Sequence, residues 1–501
     1  MRPGAGPPRS IVARAVDVSF RPGEWMLARF CELDRARWPI AWVLAIFMVQ
    51  AIPATLIRAS NLEEGRILAM ARGALEDGHW LQPFIYGERF IERPVLASWM
   101  AALLGDLTGG VSLWSLRIPH LAFFLVGSVL IYELLRRNAV SKSGSVFGAF
   151  CWVCMPMVAA KFINAEADIV VSTLLFAALF LWWQATIARR VGWPTWLGVG
   201  LLLALAGLTK GPQPVAYFTL GIGAYLLLKA REQIAGFVGA NTLAALIIGA
   251  WYGLVLQPGD IDVWQAHSRL SDQMSPAERI RDHLDFIKSL IAESLPGSIL
   301  IGPAMAAMLG TWKDSRHDLL LVCVIYTLAC TLVLVLWPGG VAARYAMPAT
   351  MTLAVICGLM FDRWRYDHPR VIVSTLVVTC LIFTGLLLRG WVVMPLWPHL
   401  FRESQIAGTA ISDALRTRPG PLYVMATTAE YNMLVYVKGP IHAVTVEDIA
   451  RVQNRVVAVM QPDEVSRLAE RNPQLTISEV ARIVSLKRPY RILDIRPKAP
   501  D

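Results

Sequence analysis

Two adjacent acids, Glu63 and Glu64, follow the first membrane-length apolar run of the chain, and a basic-acidic cluster, Ile91-Glu92-Arg93-Pro94, comes soon after on the same side. Carboxylates can take or hold a proton, and guanidinium groups grip phosphate oxygens in a bidentate way. Gathered at the face of a membrane, such groups suggest chemistry on a charged substrate carried by a lipid.

Ionisable residues at the ends of spans are costly, so they are candidates for function. On the outer side of the charge-based topology derived below stand Glu63, Glu64, Arg66, Glu92, Arg93, Arg117, Lys161, Glu166, Asp168, Lys210 and Arg344. Each also has a purely structural reading. Glu63 and Glu64 could be first-turn acids favoured by a helix dipole, and Asp168 the N-terminal acid of the fourth span. Lys210 could snorkel, and Arg117 and Arg344 could anchor an interface. His79 and His120 lack the spacing of metal ligands, so no metal site is read here. Neither a phosphate-binding P-loop nor a G-x-S-x-G nucleophile motif is present.

The elements that must position these residues are membrane spans. The 501-residue chain is 55% hydrophobic and 17% charged, against about 25% charged in soluble domains. Its mean hydropathy is +0.50. Several apolar runs reach the ~20 residues a helix needs to cross a bilayer. The expected fold class is therefore a polytopic α-helical membrane protein. About 11 spans are expected, near 38–58, 113–135, 144–160, 168–187, 194–209, 213–229, 235–256, 293–311, 318–337, 341–361 and 371–391.

The net charge of +10 comes largely from Arg and Lys in short loops between spans, which argues against nucleic acid as a partner. These cations cluster on alternate connections: Arg136, Arg137 and Lys142; Arg189 and Arg190; Lys229 and Arg231; Lys313 and Arg316; Arg363, Arg365 and Arg370. The positive-inside bias then puts the N-terminus in the cytoplasm and, with an odd span count, the C-terminal part outside. Residues 1–37 carry seven Arg and no cleavable signal pattern, and read as a cytoplasmic arm.

The transmembrane domain spans 38–403, with a long first outer loop at 59–112. Within that loop Glu63 to Leu75 reads as an amphipathic helix, and Pro94 to Leu104 as a re-entrant or interfacial one. A second outer loop, 257–292, carries R-I-R-D-H-L-D-F-I-K, which suits a helix on the membrane surface. From about 404 to 501 short strands (421–426, 441–446, 456–460, 490–495) alternate with two helical stretches, A-E-Y-N-M-L-V-Y and P-D-E-V-S-R-L-A-E-R-N. This pattern predicts a small extracytoplasmic α/β domain. All seven Cys lie outside the outer loops and this domain, so no disulfide framework is indicated.

Several segments, in order, resemble the GT-C superfamily of integral-membrane glycosyltransferases. The closest resemblance is to the branch of the lipid A aminoarabinose transferases and protein O-mannosyltransferases. They are E-E-G-R-I-L-A-M-A-R-G-A-L-E-D-G-H-W-L-Q-P from Glu63, G-E-R-F-I-E-R-P from Gly87, W-S-L-R-I-P-H from Trp114, the Asp168 region, T-K-G-P from Thr209, R-Y-A-M-P from Arg344, and E-Y-N-M-L-V-Y-V-K-G-P from Glu430. The resemblance implies a sugar donor carried on a polyprenyl phosphate. It also implies an acceptor outside the cytoplasm (a lipid such as lipid A, a glycan or a protein), and residence in the bacterial inner membrane with a periplasmic C-terminal domain.

The resemblance further implies roles. Glu63 stands where the family has its essential loop Asp, with Glu64 able to share the task, and Asp168 matches the second acid. Arg93 replaces the usual Lys. Lys210 and Arg344 match basic positions and, with Arg66, Arg93 and Arg117, are expected on the donor phosphate. Glu92, Glu166 and Tyr345 are expected near the acceptor or lipid. No cofactor is implied with certainty, and the need for a divalent cation stays open. Membrane lipids complete the expected partners. Two competing functions are a non-catalytic protein of the same scaffold that binds a lipid-linked glycan, and a secondary transporter. The inverted repeats and broken paired spans of transporters are not seen in the sequence.

Overall fold

The computed structural model describes residues 22–262, 275–308, 315–337, 341–426 and 428–498. The chain is mostly helical. A short helix over 22–31 and a 3-10 turn, Glu32–Arg35, precede the first span, α1 (Ile40–Ile57). The outer loop then forms α2 (Glu63–Leu75), a two-residue hairpin β1 (Phe84–Ile85) and β2 (Glu88–Arg89), and α3 (Leu96–Thr108). Next come α4 (Leu113–Arg137), α5 (Lys142–Cys154), α6 (Pro156–Ile163), α7 (Ala167–Ile187), α8 (Trp193–Lys210), α9 (Gln213–Lys229) and α10 (Ile234–Val255). They are followed by α11 (Pro276–Glu293), α12 (Gly297–Met308), α13 (Ser315–Val335), α14 (Met347–Asp367) and α15 (Pro369–Leu388).

Among the described residues seven helices are long and apolar enough to cross a membrane, or up to eight if the α11–α12 pair, bent by 96°, is one span. The remaining expected spans fall on α5 with α6, on α8 and on α9, none of which is among those seven. The expected third span is divided at Met155 because Pro156 cannot donate a helical hydrogen bond and crowds the preceding turn. Residues 263–274 of the second outer loop, residues 309–311 of the eighth expected span, Lys313 and residues 1–21 of the N-terminal arm lie outside the described residues.

The C-terminal region opens with α16 (Glu403–Thr417) and holds a five-stranded sheet in the order β4-β3-β5-β7-β6. Its strands are β3 (Leu422–Met425), β4 (Ile441–Val444), β5 (Val456–Met460), β6 (Leu475–Ser485) and β7 (Arg488–Pro497). The β3–β4 and β3–β5 pairs are parallel and the β5–β7 and β6–β7 pairs antiparallel. Strand β6 was not expected from the sequence. Its alternation is interrupted by a bulge between Glu479 and Ala481, which breaks the period of two that marks a half-buried strand. The segment A-E-Y-N-M-L-V-Y contributes one helical turn, Tyr431–Leu434, rather than a longer helix.

One face of the sheet (Val457, Val459, Ile483, Ile492) shares a core with Ile411 of α16, with Leu68 and Met70 of α2 and with Ala101 of α3. The other face packs under α17 (Pro462–Arg471). The first outer loop and the C-terminal sheet are thus one packed layer on the transmembrane helices, and each fully buried Leu, Ile or Met in it contributes about 1.5–3 kcal/mol. That layer fixes where α2 begins.

Candidate active site

The start of α2 is set by backbone and by ion pairs. Leu62, just before the helix, adopts φ 50° and ψ −121° and offers no side-chain cap. The Glu64 carboxylate instead accepts the Asn61 amide at 3.0 Å. Glu64 is fully buried, 2.8 Å from Nε and 3.1 Å from Nη2 of Arg117, and 2.9 Å from Arg58. Arg117 also donates to the carbonyls of Thr55, Arg58 and Ala59, so every one of its donor groups is used. Burial pushes the Glu64 carboxyl up, but Arg58 and Arg117 outweigh it and hold it below its ordinary range. This clamp ties the end of α1 to the starts of α2 and α4. It leaves neither Glu64 nor Arg117 an atom for a substrate, in contrast to the roles expected for them.

Glu63 has different surroundings. One oxygen is 3.2 Å from Arg93 and the other 3.6 Å from Arg66. Arg66 also lies 3.8 Å from Glu92 and over the rings of Phe90 and Tyr431. Arg93 follows the β1–β2 hairpin and immediately precedes the approach to α3, so the hairpin turn sets its reach. Arg89 anchors that hairpin through a bidentate pair with Asp260, just beyond α10.

A second group comes from the loop between α6 and α7 and from the ends of α8 and α14. Asp168, in the first turn of α7, pairs with Lys210, the last residue of α8. Glu166 precedes α7 and receives Lys161 at 2.7 and 2.8 Å and Arg344 at 3.3 Å. Burial, with the nearby Asp168 charge, pushes the Glu166 carboxyl up, against the pull of Lys161 and Arg344. The ring of Tyr345 lies 4.5 Å from the Lys210 ammonium and 5.4 Å from the Arg344 guanidinium, and its carbonyl accepts the Tyr217 hydroxyl.

The two groups meet. Glu63, Arg93, Glu166 and Asp168 line one narrow cleft, with Pro94 and Thr209 on its wall. Around it the five cations Arg66, Arg93, Lys161, Lys210 and Arg344 face the four carboxylates Glu63, Glu92, Glu166 and Asp168. Such a surplus of fixed cations, partly shielded from water, suits a phosphate.

Sequence reasoning passed over Arg58 and Asn432. Arg58 directly follows α1, at the end of the first apolar run. Asn432 accepts the Gly65 amide at 3.0 Å and the Ser60 hydroxyl at 2.7 Å, and donates to the Leu62 carbonyl at 3.1 Å. Glu430 holds Asn432 in turn through its backbone amide and side chain. The E-Y-N-M-L segment thus seats the C-terminal region on the residues flanking Glu63.

The family described as dolichyl-phosphate-mannose-protein mannosyltransferase matches residues 92–251. An undecaprenyl phosphate-alpha-4-amino-4-deoxy-L-arabinose arabinosyl transferase of Pseudomonas aeruginosa is 25% identical over 303 residues, covering 59% of this chain and 54% of the relative. A second transferase of that name, from Pseudomonas fluorescens, is 23% identical over 369 residues, covering 70% and 60%. The chain therefore spans little more than half the length of these curated relatives. The crystal structure of ArnT from Cupriavidus metallidurans bound to undecaprenyl phosphate superposes with a TM-score of 0.70 at 16% identity, over 91% of this chain and 98% of that one. The arabinofuranosyltransferase AftD from Mycobacteria gives 0.52 at 12% identity, over 93% of this chain and 42% of that one. The chain therefore shares the fold of ArnT, and its residues 92–251 match the mannosyltransferase family named above.

Proposed function

We propose that this protein transfers a sugar from a polyprenyl-phosphate donor to an acceptor on the extracytoplasmic side of a bacterial inner membrane. The reading rests chiefly on one observation: Glu63, paired with Arg93, and Asp168, paired with Lys210, line a single cleft together with Arg93. The names of the relatives, which specify an undecaprenyl-phosphate-linked amino sugar, support the donor class. The positive-inside bias supports a cytoplasmic N-terminus.

In this reading Arg93, Lys210 and Arg344 hold the donor phosphate. The acceptor hydroxyl attacks the anomeric carbon, its proton passes to Glu63, and the bond from that carbon to the phosphate oxygen breaks with its electron pair going to the phosphate. Fixed cations stabilise the charge that develops there. Direct displacement inverts the anomeric centre. Asp168 and Glu166 act as positioning residues, holding Lys210 and Arg344 in place. Arg66 orients Glu63 from the rim. Glu64 and Arg117 build the loop rather than touch the substrate.

Purified protein in lipid nanodiscs, given a polyprenyl-phosphate-linked amino sugar and an acylated phosphorylated disaccharide, tests the proposal. Transfer by the wild type, lost in Glu63→Gln and in Arg93→Ala, supports it. Full transfer by both variants overturns the assignment of the cleft.

A further inference from the structure

The strap of chain between α2 and α3, which carries Arg93, is seated on the outer end of α10. Four residues before Arg93, Arg89 makes its bidentate pair with Asp260 and also donates to the Val255 carbonyl at 2.7 Å. Asp260 is held in turn by the Gln257 amide, 2.7 Å away. Two residues after Arg93, Val95 packs with Trp251 and Val255 in a small core of its own. Earlier in the strap, the Leu81 carbonyl accepts the Trp251 indole N–H at 3.1 Å. Arg93 is thus bracketed by two contacts with one helix end. Arg89 lies at most about 14 Å of extended chain from it, so a movement at the ion pair reaches the Arg93 guanidinium.

The same helix end holds the other half of the cleft. α10 lies close against α8: a Cβ at Gly200 would be 2.9 Å from the Ala240 carbonyl oxygen, and one at Gly207 would overlap Ile248. Leu208, in the last turn of α8, packs on the core of Val95, Trp251 and Val255. Gly211 follows Lys210 with φ 88°, and a Cβ there would lie 3.3 Å from the Tyr252 hydroxyl. The end of α10 therefore touches the chain on both sides of Arg93 and on both sides of Lys210. Arg89, Trp251 and Asp260 are not among the residues that line the cleft. A bidentate guanidinium–carboxylate pair fixes orientation as well as distance. The hairpin also has a tether of its own, since the Ala443 amide donates to the Tyr86 carbonyl at 2.8 Å. Loss of the Arg89–Asp260 pair therefore loosens the Arg93 side of the strap and leaves the hairpin attached.

We infer that Asp260 and Arg89, with Trp251, are positioning residues that set Arg93 against Lys210, so that both cations meet one phosphate. The inference rests on the transferase reading for the identity of that phosphate. Neither Asp260 nor Trp251 touches the substrate. Each acts through Arg93, whose partner Glu63 comes from α2 and cannot by itself fix the distance to α8.

Binding and transfer are read separately. The full chain in nanodiscs is titrated with a fluorescent polyprenyl phosphate, and transfer is assayed beside it. Asp260→Asn is expected to weaken binding about tenfold and to raise the donor KM, with the acceptor KM unchanged. Asp260→Glu keeps the carboxylate and is expected to recover part of the loss. In an Arg93→Ala background, itself weaker by about tenfold or more, Asp260→Asn is expected to add nothing further. Arg455→Ala is the control: it breaks a bidentate pair with Asp494 in the C-terminal sheet and is expected to bind like the wild type. Trp251→Phe removes the bond to Leu81 while keeping a ring against Val95, and is expected to act in the same direction as Asp260→Asn. It carries the test if Asp260→Asn does not fold. Wild-type binding by these variants, or losses that add in full to that of Arg93→Ala, overturns the positioning role. Binding that depends on Arg93 and Asp260 but is followed by no transfer overturns the transferase reading and leaves the positioning role standing. No polyprenyl phosphate binding by the wild type overturns both.

Discussion

Glu63 and Glu64 are neighbours in sequence, yet their carboxylates face different worlds: Glu63 meets Arg93 on an open cleft, whereas Glu64 is sealed between Arg58 and Arg117. Their amide variants should therefore fail differently. Glu63→Gln keeps the fold and is expected to lower turnover by about 10²–10⁴-fold, the usual contribution of a positioned base. Glu64→Gln leaves two buried guanidinium groups uncompensated and should cost about 3–5 kcal/mol of stability. Thermal unfolding beside a transfer assay separates them. A Glu63→Gln protein that unfolds early but turns over normally would reverse the assignment.

The buried clamp also has a pH signature. The Glu64 carboxyl is held below its ordinary value of 4.5 in the folded chain. A depressed acid contributes stability that is fully present above the unfolded value and is lost as pH falls through the folded one. The gap in unfolding temperature between the wild type and Glu64→Gln should therefore hold steady from pH 8 to about 5 and narrow below about 4.5. A gap that widens on acidification would contradict the direction assigned to this group.

Asp168 and Lys210 form a largely buried pair, 7% and 9% exposed. Removing either charge alone strands the other, so Asp168→Asn and Lys210→Met should each lose about 3–5 kcal/mol. The double variant removes both charges and should recover most of that stability. Turnover should not return with it, because the proposed phosphate ligand is gone. Recovery of transfer in the double variant would make the pair purely structural. A double-mutant cycle on both readouts decides the matter.

Much of this arrangement was legible in the sequence, for identifiable reasons. Helix α2 begins and ends where the amphipathic pattern from Glu63 to Leu75 placed it, and α3 and α11 fall on the short segments expected outside the spans. The membrane helices were legible because lipid demands continuous apolar runs. Which of the two adjacent acids faces the cleft and which is buried was not legible. That depends on the unusual backbone at Leu62, a residue type that rarely takes a positive φ. Nor could the sequence show that Arg117 would spend its remaining donors on the carbonyls of Thr55, Arg58 and Ala59, since backbone carbonyls carry no side-chain signature. The role of the Glu430-Tyr431-Asn432 stretch was hidden for a similar reason. It acts through hydrogen bonds to residues about 370 positions away.

That long-range contact is close enough to exclude a single methyl group. A Cβ added at Gly65 would lie 2.5 Å from the Asn432 backbone nitrogen and 2.6 Å from the Tyr431 carbonyl carbon. Both are backbone atoms, which cannot rotate away. Gly65→Ala must therefore push the C-terminal turn off α2 or tilt the start of α2, two residues after Glu63. Either movement breaks the hydrogen bonds from Asn432 that hold Ser60, Leu62 and Gly65. A displacement of about 1 Å at a reacting group costs on the order of 10²-fold in rate. Gly65→Ala is expected to lower kcat by that order, with a loss of about 1–3 kcal/mol for the overpacked contact. Gly78→Ala is the control. The Gly78 site has open space around it, so only its positive φ opposes a side chain there. Gly78→Ala should show a small loss of stability and an unchanged kcat. If Gly65→Ala behaves like Gly78→Ala, the C-terminal region does not position Glu63.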